Sequence, residues 1–437
     1  MTASSGRPDS EETLPRPEVW AGVECSRLRV GERTIDQLAL TGHDRRLDDL
    51  DLLASLGARA IRYPVLWERV APSGLARADW TWTDQRMKRL RSIGLRPIIG
   101  LLHHGQGPRG MSILHPGFVA AFAAYASAVA RRYPWVSSYM PINEPLTTAR
   151  FGGLYGWWPP YARSEPVFGR MILTQVLATR AAARAIAQVN GDALLIVNED
   201  VGRVFSTAPL AQEAEYLNER RWLTWDLMAG RVTPGHPMYD LLATSPENER
   251  TLAALADEPF PPDILGIDHY VTSDRYLDHR VGLYPAERRD PACPEFVDVE
   301  ACRVRDVPAG SVARAVHDTW QRYGRPMALT EISMDGQPHD QVAWWNEAWA
   351  AATEAVQAGM DVRAVTAWAA FGATDWHTMM RRQENRYEPG VFDASSSPPL
   401  DRPVADAIRA SASARATLVS DLGWWTKPNR YLPRGPM

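Results

Sequence analysis

The stretch Leu95-Arg96-Pro97-Ile98-Ile99-Gly100-Leu101-Leu102 is almost entirely apolar and ends at the polar pair His103-His104. An apolar run of this length without alternation is typical of a strand that is buried on both faces of a parallel sheet. A helical pattern precedes it at 84–93, with Asp84 as the predicted N-cap, and another follows at 116–132. The stretch is therefore predicted to be one strand of an α/β protein.

Strand and helix patterns alternate along the whole chain, and the alternation repeats about eight times. Eight β–α units without an internal linker predict one (β/α)8 TIM barrel over residues 19–437. A doubly wound open sheet is the alternative, but it would require fewer strands and a glycine-rich nucleotide loop that the sequence lacks. The predicted strands are 19–23, 58–63, 95–102, 136–142, 193–197, 263–270, 327–330 and 362–369, and the predicted helices are 44–56, 84–93, 116–132, 166–189, 211–229, 310–323, 339–358 and 402–413.

Two long, proline-dotted segments, 144–165 and 271–308, follow the fourth and sixth predicted strands. On a barrel they would rise as long loops at the C-terminal face, where barrels carry their active sites. Residues 1–18 are polar and proline-rich and are predicted to form a disordered segment before the barrel. They lack the apolar core of a secretory signal, and no apolar run in the chain has the length of a membrane span, so no membrane partner is expected.

Charge and cysteine content restrict the class of function. The 437 residues carry a net charge of −4, which gives no electrostatic reason to expect nucleic acid as a partner. The three cysteines, Cys25, Cys293 and Cys302, provide neither a disulfide framework nor the spacing of a zinc site, although Cys293 and Cys302 could pair. These features favour a cytoplasmic location, and no cofactor or metal is expected.

Polar or aromatic residues stand where the predicted strands end. Two of them are glutamates far apart in sequence, Glu144 and Glu331. A barrel gathers its strand ends around one mouth, where two carboxylates would suit acid/base and nucleophile chemistry at an anomeric carbon. His103 and His104 are neighbours on one strand and point to opposite faces, so a shared metal is not predicted. The other polar or aromatic residues at strand ends are Glu24, Arg62, Asn143, Asn198-Glu199-Asp200, Asp268-His269-Tyr270, Trp368, Asp375 and Trp376.

Five motifs occur in one order along the chain and together resemble a known family. They are Ile61-Arg62-Tyr63-Pro64-Val65-Leu66-Trp67-Glu68-Arg69-Val70-Ala71-Pro72, Ile142-Asn143-Glu144-Pro145, Gly266-Ile267-Asp268-His269-Tyr270, Leu329-Thr330-Glu331-Ile332-Ser333 and Arg386-Tyr387-Glu388-Pro389-Gly390-Val391-Phe392-Asp393. The first is similar to the Arg-Phe-Ser-Ile-Ser-Trp-x-Arg-Ile-x-Pro stretch of glycoside hydrolase family 1, the β-glucosidase family. The others resemble its Asn-Glu-Pro, Gly-x-Asn-Tyr-Tyr, Thr-Glu-Asn-Gly and Arg-Phe-Gly-Leu-x-x-x-Asp motifs. The resemblance covers nearly the whole length, and five ordered motifs are far more specific than Asn-Glu-Pro alone.

The resemblance implies a retaining β-glycosidase. Glu331 would be the nucleophile and Glu144 the acid/base, whose pKa burial and the neighbouring carboxylate should raise. Arg62 and Tyr270 would hold Glu331 ionised, and Asn143 would bond the sugar 2-hydroxyl. These five residues are the predicted catalytic set. The predicted substrate-binding set is Glu24, His103, His104, Asp268, Trp368, Asp375 and Trp376.

Several departures from the family's motifs concern the substrate. His104 stands where the family has tryptophan, Asp268 replaces the sixth-strand asparagine, and Asp375 replaces the glutamate that grips the outer hydroxyls of glucose. The strand-one glutamine is not recognisable, and Glu24 or Arg27 would occupy its space. A site built to bond a hydroxyl discriminates strongly when that bond is lost, so the glycone is predicted to differ from plain glucose.

Three functions are compatible with these residues. The first, which is the predicted function, is hydrolysis of a small-molecule glycoside or oligosaccharide by a cytoplasmic retaining β-glycosidase. The second uses the same site to pass the glycosyl group to a sugar or alcohol acceptor, for which Trp157-Trp158 would be a platform. The third is a non-catalytic sugar-binding barrel, and the presence of both carboxylates and Arg62 counts against it.

Overall fold

The computed structural model describes residues 16–31, 33–290, 293–305, 307, 311–415 and 422–432. Residues 1–15, which make up most of the predicted disordered segment 1–18, lie outside the described residues. The described chain enters its first strand at Glu18.

Within the described residues, eight parallel strands close into one barrel. Each strand pairs with the next along the chain, and the last pairs with the first, for example Trp20 with Thr366. The predicted (β/α)8 barrel is confirmed, and every strand overlaps its predicted range. The strands are β1 Glu18–Gly22, β2 Ala60–Pro64, β3 Arg96–His103, β4 Ser138–Asn143, β5 Leu194–Asp200, β6 Ile264–Asp268, β7 Met327–Ile332 and β8 Val362–Ala367.

Helices connect the strands and cover the outside of the barrel, as in other α/β barrels. The helix predicted at 211–229 is interrupted at Arg221 and Trp222 and therefore forms two helices. The main helices are α1 Asp49–Ser55, α2 Thr81–Ser92, α3 Phe118–Arg132, α4 Glu165–Ala187, α5 Ala211–Arg220, α6 Leu223–Met228, α7 Pro246–Asp257, α8 Val312–Tyr323, α9 Pro338–Gln357 and α10 Pro403–Ala412.

The start of α2 differs from the prediction. The helix begins at Thr81, whose backbone N–H donates to the Asp79 carboxylate at 2.9 Å, so the predicted N-cap at Asp84 is wrong. Asp84 lies inside α2, where its carboxylate accepts hydrogen bonds from Arg132 and from the Tyr133 hydroxyl. A partner on another helix therefore outweighs the local capping preference of aspartate.

Helix α7 was not predicted, although its start carries clear sequence signals. Ser245 accepts a hydrogen bond from the Asn248 backbone N–H, and Pro246 occupies the first helical position. A serine N-cap followed by proline is a typical beginning of a helix.

The interior of the barrel is built in layers, because alternate residues of each strand point inwards. Each strand contributes one buried residue to an apolar floor, which consists of Trp20, Ala60, Ile98, Met140, Ile196, Ile264, Ala328 and Ala364. Two residues further along four of these strands stand Arg62, Asn198, Thr330 and Thr366, all buried. The layer above the floor is thus partly polar, and it supports the mouth of the barrel from below.

The loops at the C-terminal face contain short elements of their own. The segment after β4 begins with the helix Pro145–Ala149, and the strand Arg275–Asp278 after β6 pairs with Val204–Ser206 and Val297–Glu300. In the described part of the chain, no helix is both long and apolar enough to cross a membrane. Other short elements include the helices Gln37–Leu40, Trp67–Val70 and Tyr239–Leu242 and the paired strands Arg27–Val30 with Arg33–Asp36, Ala373–Thr374 with Tyr387–Glu388, and Phe392–Asp393 with Leu400–Asp401.

Candidate active site

Glu331 lies near the carboxyl end of β7 and is held by two partners. Arg62 Nη1 donates to Glu331 Oε1 at 2.9 Å, and the Tyr270 hydroxyl donates to the other oxygen, Oε2. Arg62 Nη1 also donates to the Thr330 backbone oxygen at 2.7 Å, which fixes the guanidinium against β7. Burial raises the pKa of the Glu331 carboxyl, and Arg62 and Tyr270 oppose that rise by stabilising the ionised form.

Asn143, the last residue of β4, connects Glu331 to the opposite side of the mouth. Its side-chain oxygen accepts hydrogen bonds from Arg62 Nη2 at 2.6 Å and from Asn198 Nδ2 at 2.7 Å. Two donors on one oxygen fix the orientation of the amide, so the Asn143 amino group must point the other way. It faces His104 Nε2 at 3.3 Å.

Glu144 follows Asn143 in a left-handed backbone conformation, with φ 40° and ψ 67°. Such a conformation costs of order 1–3 kcal/mol in a non-glycine residue and persists where the surroundings impose it. Here the Glu144 N–H donates to Asn198 Oδ1 at 3.4 Å, and the Leu146 N–H donates to Glu199 Oε1 at 2.7 Å. Burial raises the pKa of the Glu144 carboxyl well above its usual range, and the charges of Asp268 and Glu331 act in the same direction.

Asp268 lies beneath the two glutamates, at the end of β6, and is completely buried. Its Oδ1 accepts a hydrogen bond from the Thr330 hydroxyl at 2.6 Å, and its Oδ2 accepts one from Asn198 Nδ2. Both carboxylate oxygens are therefore used by the protein itself. Burial raises the pKa of Asp268 well above its usual range, with Glu331 adding to the rise.

One wall of the pocket consists of Glu24, His103 and Trp368. The His103 ring stacks on Trp368 with ring centroids 5.8 Å apart, and the Arg62 guanidinium lies over the same tryptophan at 4.3 Å. Glu24 Oε1 accepts from the Ser26 N–H at 2.7 Å and lies 3.8 Å from His103 Nε2. Burial raises the pKa of Glu24 to about 7 and lowers that of His103 well below its usual range. Arg27, the alternative to Glu24 at this place, donates instead to the Glu68 backbone oxygen.

His104 is buried between the aromatic rings of the mouth and the acid/base candidate. Its Nε2 lies 3.6 Å from Glu144 Oε2, and its Nδ1 lies 3.0 Å from the Thr148 hydroxyl. The ring packs against Trp158 and Trp376, with centroids 4.8 and 5.7 Å away. Burial lowers the pKa of His104 to about 3, so the imidazole is neutral at ordinary pH.

Asp375 and Trp376 lie beyond β8 on the outer side of the pocket. The Asp375 carboxylate accepts hydrogen bonds from the backbone N–H groups of Glu384, at 3.2 Å, and of Arg386, at 2.9 Å. The Trp376 indole N–H is buried and has no hydrogen-bond partner among the described residues. Trp158 is completely buried and donates to the Met379 backbone oxygen at 2.8 Å.

The structure thus brings the predicted site residues to one mouth, but three residues that organise them were not predicted as site residues. Asn198 and Thr330 hold Asn143 and Asp268, and Glu199 holds the turn that carries Glu144. Asn198 and Glu199 could have been found from their position at the end of the fifth strand. Thr330 could have been found because it lies two residues after Ala328 of the apolar floor and therefore also points into the barrel. Among the described residues, no group of three or more histidine, cysteine or acidic side chains could hold a metal ion.

The fold is a (β/α)8 barrel with two glutamates, Glu144 and Glu331, at its mouth, an arrangement that suits glycosidase chemistry. The sequence profile of glycosyl hydrolase family 1 matches residues 17–220. The chain is 23% identical over 420 residues to a coniferin β-glucosidase of Pinus contorta, covering 82% of this chain and 80% of that protein, and 23% identical over 416 residues to β-glucosidase 4 of Oryza sativa subsp. japonica, covering 82% of each. The β-glucosidase of Thermotoga maritima in complex with deoxynojirimycin shares the fold at a TM-score of 0.71 and 15% identity, over 92% of this chain and 98% of that one.

Over residues 17–220 the chain is similar to glycosyl hydrolase family 1, and over most of its length it is similar to β-glucosidases, which indicates a hydrolase of O-glycosidic bonds.

Proposed function

We propose that this protein is a retaining β-glycosidase in which Glu331 is the nucleophile and Glu144 the acid/base. The observation that carries the proposal is the placement of Arg62, which donates to Glu331 with one nitrogen and to Asn143, the neighbour of Glu144, with the other. One cation therefore pairs directly with the carboxylate that must be ionised, and its contact on the other side is to Asn143 and not to the Glu144 carboxyl.

The two glutamates divide the reaction between them. Glu331 attacks the anomeric carbon while Glu144 gives its proton to the leaving oxygen, so the glycosidic bond breaks as the glycosyl–enzyme bond forms. Glycosylation neutralises Glu331, which lowers the pKa of Glu144 because a nearby negative charge is lost. Glu144 then takes a proton from water, the water attacks the anomeric carbon, and Glu331 leaves.

A glycone other than plain glucose is supported by Asp375, at the outer end of the pocket. Its carboxylate accepts hydrogen bonds from two backbone N–H groups of its own loop. These bonds use part of the acceptor capacity of Asp375, so less of it is available to the outer hydroxyls of a sugar. A pentose, a deoxy sugar or a sugar modified at its outer carbons fits these contacts better.

The nucleophile is tested by trapping with aryl 2-deoxy-2-fluoro glycosides, because the fluorine slows hydrolysis of the glycosyl–enzyme more than its formation when the leaving group is good. Peptide mass spectrometry should place the adduct on Glu331, and Glu331→Gln should form none. Glu347→Gln is the matched control, since Glu347 lies on the outer helix α9 and binds the Trp425 indole N–H. An adduct on a different residue, or a first product of inverted configuration by NMR, would contradict the proposal.

The glycone is identified with a panel of aryl β-glycosides that includes glucoside, xyloside, 6-deoxyglucoside and 6-modified sugars. We expect kcat/KM for at least one glycoside without the 6-hydroxyl to exceed that for the glucoside. The glucoside as the best substrate of the panel would refute the proposed glycone but not the roles of the two glutamates.

A cytoplasmic location is part of the proposal. It is supported by Cys25, Cys293 and Cys302, which all carry free thiols. Thiol titration of the protein isolated under an alkylating quench should find three reduced cysteines. A Cys293–Cys302 disulfide in that sample would count against this location.

A further inference from the structure

The hydrogen bonds around Asn143 determine which nitrogen of His104 carries the proton. Arg62 Nη2 and Asn198 Nδ2 both donate to the Asn143 side-chain oxygen, so the Asn143 amino group is the one that faces His104. That group can only donate, and His104 Nε2 must therefore accept. The proton of the neutral imidazole lies on Nδ1 and is donated to the Thr148 hydroxyl, 3.0 Å away.

The ring has no freedom to adopt another arrangement. His104 has a left-handed backbone, with φ 56°, and its side chain is almost completely buried. Trp158 and Trp376 pack on it, and His103 meets it edge to face with centroids 4.8 Å apart. The Nε2 lone pair is therefore fixed in the direction of Asn143 and of the Glu144 carboxyl, whose Oε2 lies 3.6 Å away.

We propose that His104 is a positioning residue that keeps Glu144 protonated by presenting an imidazole lone pair, and not an N–H, to its carboxyl. A lone pair attracts the proton of a carboxylic acid and repels a carboxylate, whereas an N–H or an imidazolium would do the opposite. At 3.6 Å the two groups are not hydrogen-bonded, so the influence is electrostatic and leaves the Glu144 proton free for the leaving oxygen. The inference rests on the proposed role of Glu144 as the acid/base.

The other charges near Glu144 and His104 come from every side of the mouth. The carboxylates raise the proton affinity of Glu144, and the guanidinium groups lower it. His104 is neutral, as are His103 and Tyr270, so its replacement changes the direction of a dipole without changing the formal charge. The surrounding titratable groups are Asp268, Glu331, Asp200, Glu199, Tyr270, His103, Arg62 and Arg150.

The test is the titration of the Glu144 carboxyl in the substrate-free protein, followed by carbon-13 NMR with labelled glutamate and assigned with Glu144→Gln. His104→Phe keeps the packed ring and removes the lone pair, so the pKa of Glu144 should fall by about one pH unit. His104→Gln should lower it further, because its side-chain oxygen would accept from Asn143 and its amino group would face Glu144. The basic limb of kcat/KM should move in the same order.

His269→Phe is the matched control. His269 is another buried histidine of the barrel, and neither of its ring nitrogens has a hydrogen-bond partner among the described residues. His269→Phe should leave the pKa of the Glu144 carboxyl unchanged. An unchanged or raised pKa of Glu144 in both His104 variants would overturn the inference.

Nitrogen-15 NMR of the wild-type imidazole gives a second readout that needs no variant and no substrate. Nε2 should show the shift of an unprotonated nitrogen, and a protonated Nε2 at neutral pH would overturn the inference even if the variants fail to fold. Failure of the proposed function would appear separately, as the absence of a glycosyl adduct on Glu331.

Discussion

The side-chain oxygen of Asn143 accepts a hydrogen bond from Arg62 Nη2 at 2.6 Å, and through this contact one guanidinium connects Glu331 with the residue that precedes Glu144. The same guanidinium donates to Glu331 Oε1 and to the Thr330 backbone oxygen. Three acceptors in three directions match the planar fork of arginine and cannot all be reached by the compact ammonium group of lysine. The position of Glu331 relative to Glu144 therefore depends on an arginine at residue 62.

Arg62→Lys should impair both the reaction and the fold. We expect kcat/KM to fall by about 10²- to 10³-fold, because Asn143 and Glu331 lose their common donor. The free energy of unfolding should fall by about 3 kcal/mol, since buried acidic groups lose part of their compensation. Steady-state kinetics and urea unfolding measure the two effects.

Arg96→Lys is the control for this substitution. Arg96 begins β3 at the opposite end of the barrel and pairs with Glu18 at the surface. Arg96→Lys should change neither kcat/KM nor the free energy of unfolding appreciably. Wild-type kinetics in Arg62→Lys would contradict the proposed role of the arginine fork.

Substitution of Gly22 tests how closely the side chains of the pocket wall are packed. A Cβ at this position would lie 2.5 Å from Trp368 Cε3, so Gly22→Ala must displace the ring on which His103 stacks. Overpacking of this kind costs about 1–3 kcal/mol, and the displaced wall should also lower kcat/KM. Gly282→Ala is the matched control, because no atom lies within 4 Å of its added Cβ.

Both glycine variants are compared by urea unfolding and by kinetics on the best substrate of the panel. We expect Gly282→Ala to stay within about 0.5 kcal/mol of the wild type. Equal behaviour of the two variants would show that Trp368 is not held as closely as the structure indicates.

The barrel could be predicted from sequence because its strands are apolar runs that differ clearly from the helical patterns around them. The polar residues at the strand ends predicted where the candidate site lies, because a barrel brings the carboxyl ends of all its strands together. The hydrogen-bond network between these residues could not be predicted. The role of Asn198, for example, depends on donating to Asn143 on one neighbouring strand and to Asp268 on the other, and spacing along the chain does not contain that information.

Asp375 has contacts within its own loop that motif comparison does not predict. Its place in the sequence predicts a sugar contact, and its carboxylate also accepts from the backbone N–H groups of Glu384 and Arg386. Asp375→Asn keeps one of the two side-chain oxygens that accept from backbone N–H groups and replaces the other with an amino group. The loop should therefore loosen, and kcat/KM should fall for every glycoside. The ratio of kcat/KM between a glucoside and its 4-deoxy and 6-deoxy analogues should not change.

Glu384→Gln provides the comparison within the same loop, because Glu384 is exposed and its side chain pairs with His377. It should leave both the rates and the ratio close to wild type. A rate loss in Asp375→Asn that is confined to sugars with outer hydroxyls would instead mean that the carboxylate contacts the glycone.

Glu199 links the turn that carries Glu144 to the pH dependence of stability. Its Oε1 accepts from the Leu146 N–H and the Thr224 hydroxyl, while its Oε2 is buried without a partner among the described residues. Burial raises the pKa of Glu199 from 4.5 to about 7 in the folded protein. Between these values the folded state binds more protons than the unfolded state, so this group makes stability fall as pH rises from 4.5 to 7.

Glu199→Gln should remove that dependence, because glutamine keeps the accepting oxygen and cannot ionise. The difference in the free energy of unfolding, variant minus wild type, should become more positive by about 3 kcal/mol between pH 4.5 and pH 8. Urea unfolding across this range measures it, and the other buried carboxyls cancel because both proteins contain them. Glu213→Gln makes the same change of residue type at an exposed glutamate and serves as the comparison. A flat difference for Glu199→Gln would mean that Glu199 is ionised in the fold at little cost, and that the turn carrying Glu144 is held by a charged group.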